Sequence, residues 1–497
     1  MFYDQRLCGL GKTADAFTHI NQSSSRSIYV APSIELADNS RNPAQHHYIA
    51  KDYALIHSDN TDNCVKRFAK LARLSSTHGI CTTHATLLNA MMAGTASGLH
   101  DFDLVIDELM PLYQAHSVRL EVESYALICQ FVDFLPSANG FVKLTIKETQ
   151  IDRLRTIIES ETDEFWMADV PKILALHLLS ACHETYITPD NHAVLLSIHT
   201  DKKPRQLSAA SIITPAAFAQ FRSVKILSAL FDQTVAYRLL ALFGHRLLDV
   251  TPTSIDRVHT AKNVKLHYVA PRQYCGSIRD TVCADGQTIG RKIAVHQGQM
   301  LANTPYLYNA NVCLRDEFGG NGRLVDTPYG HNSYTGFHAA AWCMTQLPSG
   351  GQLNTLRDFG VPMATIYAEK NYLPCYQHIM RTALRLSSDS LVTIHVPDHN
   401  TASFLQQHIP NAILVQHEIA DVYSALGDKV DKKEKVGTNP RAIKSRFEKK
   451  YFAGKIDLTS KHQSKITAIK NYIHVMRTHY PAKPELFDFD QFLSQHS

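Results

Sequence analysis

The chain has 497 residues, of which 44% are hydrophobic and 19% are charged, and its formal net charge is +4. This length exceeds the roughly 250 to 300 residues at which single hydrophobic cores stop growing, so we expect two or three domains. The composition is that of a globular protein and excludes a disordered chain. No uncharged apolar stretch is long enough for a membrane span, and the first residues lack the apolar core of a signal peptide. We therefore expect a cytoplasmic protein with no membrane partner.

The first predicted element is a short strand that leads through a glycine-rich turn into a helix. The turn contains Gly9, Gly11, Lys12 and Thr13 in the pattern Gly-x-Gly-Lys-Thr. The backbone N–H groups of such a turn and the positive end of the following helix wrap a polyphosphate. Lys12 would reach the β and γ phosphates, and the Thr13 hydroxyl would hold Mg²⁺. Arg6 stands where the usual pattern has glycine or alanine, so the path of the loop departs from the common one.

The next element that carries chemistry is the apolar run Leu104–Ile106, which predicts a buried strand. It delivers Asp107 and Glu108 to the carboxyl edge of a sheet, where open α/β sheets bind their ligands. Asp107 would hold Mg²⁺ through its water shell, and Glu108 would polarise the water that attacks the γ-phosphate. A solvated strand end is the alternative interpretation, and Lys12 and Thr13 upstream argue against it.

A later segment is predicted to be a helix that carries two arginines. Gln377, Arg381 and Arg385 recur every fourth residue, so on a helix they share one face and point together across a cleft. A guanidinium at the γ-phosphate stabilises charge that develops only in the transition state. An exposed helix that merely carries arginines is the alternative.

Together these motifs resemble the superfamily 2 helicases and translocases, which have two RecA-like domains. Several further segments look like elements of that family. They are Arg26 to Leu36 (RSIYVAPSIEL), Ile80 to Asn89 (ICTTHATLLN), Lys225 to Leu230 (KILSAL, with Leu230 in place of the usual threonine), Leu324 to Thr327 with Gly330 to Ser333, and Tyr376 to Arg385.

The resemblance implies an ATP-dependent enzyme with Mg²⁺ between its two domains. The implied nucleotide-binding residues are Gly9, Gly11, Lys12, Thr13, Asp107 and Gln377, with Thr13 and Asp107 at the metal, and the implied catalytic residues are Lys12, Glu108, Arg381 and Arg385. A nucleic-acid strand would lie across Pro32, Ser33, Thr83, Gly330 and Asn332. The compact motif set looks similar to helicases of phages and mobile elements, which favours replication or recombination of DNA in a bacterial or phage-infected cytoplasm. RNA stays open, because loops that follow the backbone contact phosphates.

We predict an α/β fold with two RecA-like P-loop NTPase domains, each on a parallel sheet. The first spans 1–240 and carries a mainly helical insertion at about 112–222, because apolar residues recur there at helical spacing. A connector at 241–281 leads to the second domain at 282–398, and a helical, lysine-rich region follows at 399–497. The predicted strands of the second domain are Lys292 to His296, Leu324 to Thr327, Ala339 to Cys343, Ala364 to Tyr367 and Leu391 to Val396.

Two alternative functions remain open from the sequence. One is a translocase that moves on duplex DNA without separating the strands. The other is a nucleic-acid clamp or scaffold with a degenerate ATPase, which the departures at Arg6 and Leu230 and the four-residue spacing of Arg381 and Arg385 suggest. The ten cysteines show no zinc-finger spacing, so free thiols are expected rather than a metal cluster.

Overall fold

The computed structural model describes residues 1–45, 47–95, 98–159, 172–253, 261, 263–325, 334–386 and 389–427. The strands are β1 (Phe2–Asp4), β2 (Arg26–Ala31), β3 (Ala54–Ile56), β4 (Gly79–Thr83), β5 (Phe102–Asp107), β6 (Tyr113–Leu120), β7 (Val132–Pro136), β8 (Val142–Ile146), β9 (His183–Ile187), β10 (Arg205–Ile213), β11 (Ser223–Leu227), β12 (Leu248–Asp249), β13 (Val264–Ala270), β14 (Tyr306–Ala310), β15 (Gly322–Leu324), β16 (Ala339–Cys343), β17 (Val392–Asp398) and β18 (Ile413–Gln416).

The α-helices are α1 (Lys12–Gln22), α2 (Ile34–Asn39), α3 (Cys64–Arg73), α4 (His84–Met92), α5 (Val122–Phe131), α6 (Ile151–Glu159), α7 (Lys172–Leu178), α8 (Pro189–Leu196), α9 (Ile198–Asp201), α10 (Pro215–Ala219), α11 (Val235–Leu242), α12 (Gly276–Arg279), α13 (Ile289–Leu301), α14 (Gly350–Asp358), α15 (Met363–Tyr367), α16 (Leu373–Ile379), α17 (His399–His408) and α18 (Ala420–Gly427). Shorter turns include a 3₁₀ turn at Ala383–Leu386. Among the described residues, no helix is both long and apolar enough to cross a bilayer.

A parallel sheet of seven strands forms the first domain, in the order β12-β1-β11-β5-β2-β4-β3. Its central strands are buried on both faces, as expected for a parallel sheet that is covered by helices. Along β2, Ile28 and Val30 pack into the core on one face, whereas Tyr29 packs into the core on the other. Because all these strands run parallel, their carboxyl ends meet at one edge, which we call the carboxyl edge of the first sheet.

The insertion lies between β5 and β11 and is built differently from the expectation. Helices are present, among them α5 and α7, but they pack on an antiparallel sheet in the order β6-β10-β9-β8-β7. The expectation of a mainly helical insertion at 112–222 is corrected in this respect. The strand β10 is almost wholly buried, so it lacks the alternation of polar and apolar residues by which a half-exposed strand is recognised.

A second parallel sheet, in the order β15-β14-β16-β17-β13-β18, forms the second domain. The prediction of two α/β domains with parallel sheets is thus confirmed. The sheet extends beyond the expected 282–398 on both sides, because β13 lies in the expected connector 241–281 and β18 in the expected C-terminal region 399–497. The remainder of that lysine-rich region, 428–497, lies outside the described residues.

Three of the five predicted strands of the second domain correspond to strands. They are β15, which overlaps its predicted range only at Leu324, β16 and β17. The strands predicted at Lys292–His296 and Ala364–Tyr367 are wrong, because these segments lie in α13 and α15. In α13, Ile289, Ile293 and Gln297 recur every fourth residue and are buried, which is the period of a helix. Short apolar runs do not distinguish a buried strand from a buried helix.

The two domains share hydrophobic clusters and so form one packed body. Leu7 and Leu230 of the first domain lie in the same cluster as Tyr376, Met380 and Leu384 of the second. The leucine that replaces threonine in the KILSAL element therefore adds apolar contact between the domains. Leu230 also has a φ of 54°, a left-handed conformation that is costly for a leucine.

Candidate active site

The glycine-rich turn closes around the side chain of Lys12. The strand β1 ends at Asp4, and α1 begins at Lys12 with Gly11 as its N-terminal cap. Gly9 and Gly11 have φ values of 85° and 81°, which glycine adopts without the steric cost that other residues incur. The Lys12 Nζ donates to the carbonyl oxygens of Arg6 at 2.7 Å and Leu7 at 3.2 Å. The positive charge thus lies inside the curl of the loop, at the positive end of a helix.

Thr13 and Asp107 meet at the carboxyl edge of the first sheet, as the sequence predicts. The Thr13 hydroxyl lies 3.2 and 3.1 Å from the two carboxylate oxygens of Asp107. The Tyr29 hydroxyl donates to the same carboxylate at 2.6 Å. Burial raises the pKa of Asp107, and the hydrogen bond from Tyr29 acts in the opposite direction. These neighbouring oxygens suit a hard cation such as Mg²⁺.

Tyr29 and His84 support Asp107 and were missed by the sequence analysis. His84 Nε2 lies 2.8 Å from the backbone carbonyl oxygen of Asp107. Burial lowers the pKa of His84 to about 4, so the ring is neutral at pH 7 and donates from Nε2. Tyr29 lies in β2 and His84 directly follows β4. Their proximity to Asp107 could be inferred only once the order of the strands was known.

Glu108 follows Asp107 in an unusual backbone conformation. Its φ is 63°, and its N–H donates to the carbonyl of Leu227 at 2.9 Å. Burial in the cleft raises the pKa of Glu108 to about 7, and the charge of Lys12 opposes the increase. A carboxyl group with a pKa near the working pH is suited to general base catalysis.

The second domain contributes Gln377, Arg381 and Arg385, but they do not share one helical face as expected. The helix α16 ends at Ile379, because Thr382 donates through its backbone N–H and its hydroxyl to the Ile379 carbonyl. These bonds tighten the chain into 3₁₀ geometry. Arg381 therefore lies in a turn and Arg385 in the 3₁₀ turn that follows, and all three side chains still line the same cleft.

The two domains touch each other at this cleft. Gln377 Nε2 donates to Glu108 Oε2 at 2.8 Å. Arg385 lies against the phosphate loop, since a Cβ atom added to Gly9 would come 3.0 Å from Arg385 Cγ. Burial lowers the pKa of Arg381 to about 10, which leaves the guanidinium positively charged at pH 7.

The cleft has a volume of about 840 Å³ and is lined by both domains. All residues predicted from the sequence to bind nucleotide or to act in catalysis are among its lining residues: Gly9, Gly11, Lys12, Thr13, Asp107, Glu108, Gln377, Arg381 and Arg385. The structure brings these side chains together, and their individual roles remain predictions.

The residues predicted to contact nucleic acid lie in part on the same edge. Pro32 and Ser33 follow β2, and Thr83 ends β4. The Ser33 hydroxyl accepts from the N–H of Leu36, and Thr83 caps α4 in the same manner. Gly330 and Asn332 lie outside the described residues.

No protein-family model matches this sequence, and no curated protein sequence matches it significantly. Solved structures similar to the chain include apo XPD, with 10% identity, a TM-score of 0.45, and 84% of this chain and 97% of that chain covered. Dbp5 of S. cerevisiae bound to RNA and ADP BeF3 shows 12% identity and a TM-score of 0.36 over 86% of this chain and 89% of that chain. The DEAD-box helicase Mss116 bound to ssRNA and UDP-BeF shows 11% identity and a TM-score of 0.33 over 96% of this chain and 82% of that chain. At these identities and TM-scores, the similarity does not indicate a ligand or an activity for this chain.

Proposed function

We propose that this protein hydrolyses ATP between its two α/β domains and couples hydrolysis to movement along nucleic acid, as a helicase or translocase. The observation that carries the proposal is the joint cleft. Lys12, Thr13, Asp107 and Glu108 face Arg381 across it, and Gln377 of the second domain bonds directly to Glu108. A phosphate loop alone would suit many nucleotide-binding proteins, whereas a facing arginine supplied by a second domain suits a motor.

The first domain supplies the groups that would hold the triphosphate. Lys12 and the N-terminus of α1 would bind the β and γ phosphates, with Gly9 and Gly11 allowing close approach of the backbone. The Thr13 hydroxyl and the Asp107 carboxylate, 3.1 to 3.2 Å apart, would hold Mg²⁺. When bound, the cation would neutralise part of the phosphate charge.

Glu108 and Arg381 would act on the reacting atoms. Glu108 would orient the attacking water and accept its proton, which its pKa near 7 allows at neutral pH. Arg381 would stabilise the negative charge that grows on the γ-phosphoryl oxygens in the transition state, and Arg385 would assist from beside Gly9. Hydrolysis therefore requires both domains.

Coupling to nucleic acid would follow from this requirement. A strand that lies across Pro32, Ser33 and Thr83 of the first domain, and across Gly330 and Asn332 of the second, would move when the domains close and open. The preference for DNA over RNA, a role in replication and a cytoplasmic location stay predictions from the sequence. The expected resemblance to phage and mobile-element helicases finds no support in the comparisons and is not part of this proposal.

The proposal is tested by steady-state ATP hydrolysis with single-stranded DNA, single-stranded RNA and duplex DNA. We expect one polymer to stimulate hydrolysis, and Lys12→Ala to abolish the stimulated activity. Lys66→Ala, an exposed lysine of α3, is the matched control and should behave as the wild type. Absence of hydrolysis with every polymer, in folded protein, would contradict the motor and favour the clamp. An unwinding assay beside a translocation assay then separates a helicase from a duplex translocase.

A further inference from the structure

We infer that Arg6 is a positioning residue that holds the phosphate loop in its nucleotide-binding shape. The inference rests on the proposed function, because it concerns the same loop. The starting observation is that an arginine stands six residues before Lys12, where the common loop has a residue without a functional side chain. Its side chain is only 4% exposed.

The guanidinium of Arg6 binds the strand that enters the loop. Its Nε lies 3.0 and 3.1 Å from the two carboxylate oxygens of Asp4, and its Nη2 lies 2.7 Å from Asp4 Oδ2. Asp4 is the last residue of β1, is 1% exposed, and also accepts from the backbone N–H of Arg6 at 3.2 Å. A planar guanidinium that holds a buried carboxylate through two nitrogens is fixed in direction as well as in place.

The other end of the same guanidinium binds the tip of the loop and the helix that leaves it. The Nη1 donates to the backbone carbonyl of Leu10 at 3.2 Å and to the carboxylate of Asp15 at 2.5 Å. Asp15 lies in the first turn of α1. One side chain thus connects the entry, the tip and the exit of the loop.

The backbone of Arg6 also helps to position Lys12, together with that of Leu7, although the Arg6 side chain does not line the cleft. The backbone carbonyl of Arg6 accepts from Lys12 Nζ at 2.7 Å. Because the guanidinium is hydrogen-bonded to Asp4, Leu10 and Asp15 and lies outside the cleft lining, we do not expect it to contact a phosphate. Arg6 therefore acts on the nucleotide through the shape of the loop and through Lys12.

The ion pair between Arg6 and Asp15 allows an effect of loop shape on nucleotide binding to be distinguished from an effect of the Asp15 charge. Asp15 is 62% exposed and carries a negative charge close to a site for an anion. If only its charge mattered, Asp15→Asn would strengthen nucleotide binding, because repulsion of the phosphates would fall. If the pair with Arg6 shapes the loop, the same substitution weakens binding. The two explanations predict opposite signs.

The test measures equilibrium binding of Mg-ADP to the full chain. We expect Arg6→Ala to weaken binding about tenfold. Asp15→Asn should weaken it about threefold, as expected for an exposed pair. Asp152→Asn is the matched control, because Asp152 is also paired with an arginine in the first turn of a helix, far from the cleft, and it should bind as the wild type. Tighter binding by Asp15→Asn, or unchanged binding by Arg6→Ala, would overturn the inference.

A second readout does not depend on nucleotide. Amide hydrogen exchange of residues 7–11 should become faster in Arg6→Ala and Asp15→Asn than in the wild type, without added ADP. The exposed Asp15 variant keeps the test valid if Arg6→Ala does not fold. A wild type that binds no ADP would contradict the proposed function, whereas unchanged exchange in both variants would overturn the role of Arg6 alone.

Discussion

Gln377 of the second domain donates a hydrogen bond to the carboxylate of Glu108 of the first, with 2.8 Å between Nε2 and Oε2. The bond stabilises the ionised form of Glu108, whose pKa burial raises to about 7. The protonation of the proposed base is therefore sensitive to the contact between the domains.

The pH dependence of hydrolysis tests this relationship. Because a general base acts when deprotonated, we expect kcat/KM for ATP to rise with pH through about 7. Gln377→Ala removes a donor to the charged form, so it should raise the pKa of Glu108 and move the midpoint to higher pH. Gln206→Ala, in the insertion, is the control. A midpoint that does not move in Gln377→Ala would show that this bond does not set the pKa.

Gly9 and Gly11 form a matched pair for the contact with Arg385. Both have positive φ, so alanine at either position costs about 1–2 kcal/mol of backbone strain. A Cβ atom added at Gly9 would also lie 3.0 Å from Arg385 Cγ, whereas a Cβ atom added at Gly11 would have no other atom within 4 Å. A double-mutant cycle on kcat/KM should give a coupling of about 0.5–3 kcal/mol between Gly9→Ala and Arg385→Ala. Equal coupling for Gly11→Ala would contradict a direct contact.

The helix α14 of the second domain packs on strand β6 of the insertion. Thr355 Oγ1 donates to the carbonyl of His116 at 3.0 Å. A Cβ atom at Gly351 would overlap the side chain of Ser117, whereas Gly350 faces open space. We expect Gly351→Ala to lower the free energy of unfolding by about 1–3 kcal/mol, measured with urea. Gly350→Ala should change it by less than about 0.5 kcal/mol.

Relief of the overlap provides the control for that packing. Ser117→Gly added to Gly351→Ala removes the clashing atoms, so the double variant should recover part of the lost stability. If Gly351→Ala and Gly350→Ala have the same effect, then α14 does not pack closely on the insertion.

Four histidines of the second domain lie close together on one face of its sheet. The rings of His267 and His395 stack with centroids 4.5 Å apart, and His267 Nδ1 lies 2.7 Å from His417 Nε2. The ring of His296, on α13, lies 4.9 Å from that of His417. Burial lowers the pKa of all four, to about 4 for His267 and further for His395.

This cluster predicts loss of stability in acid. Below the pKa of about 6.5 that histidine has in an unfolded chain, the unfolded state binds protons that the folded state does not. The free energy of unfolding should therefore fall as the pH decreases below about 6.5. His395→Gln should reduce the slope of the free energy of unfolding against pH by the amount that corresponds to about one proton. His100 is an exposed histidine, so His100→Gln should leave this slope unchanged. Identical slopes in the wild type and His395→Gln would contradict the prediction.

The residues of the cleft could be predicted from the sequence because each motif is short and local. Gly9 to Thr13 and Asp107–Glu108 are fixed by their neighbours in the chain, and their meeting follows from the rule that parallel strands end at one edge. The structural roles of Tyr29, His84 and Arg6 could not be predicted in this way, although Arg6 was noticed as a departure from the common pattern. Their partners are set by the order of strands or by a side chain that crosses a loop, and neither leaves a pattern in the sequence.

The misassigned elements have different physical causes. Lys292–His296 and Ala364–Tyr367 are short apolar runs whose burial does not reveal whether they are helix or strand. The turn after Ile379 depends on hydrogen bonds from Thr382, which compete with helix propagation across only a few residues. In the antiparallel sheet of the insertion, β10 is buried along both faces and lacks an alternating pattern, whereas β8 alternates between buried and partly buried residues.

The most direct test of a shared active site is the kcat of Arg381→Ala for ATP, with saturating single-stranded nucleic acid. Because Arg381 would act only on the transition state, we predict nearly unchanged ATP binding and a kcat that is about a thousandfold lower. Arg357→Ala, an exposed arginine of the same domain, should retain the wild-type value. A kcat for Arg381→Ala within about twofold of the wild type would contradict hydrolysis between the two domains.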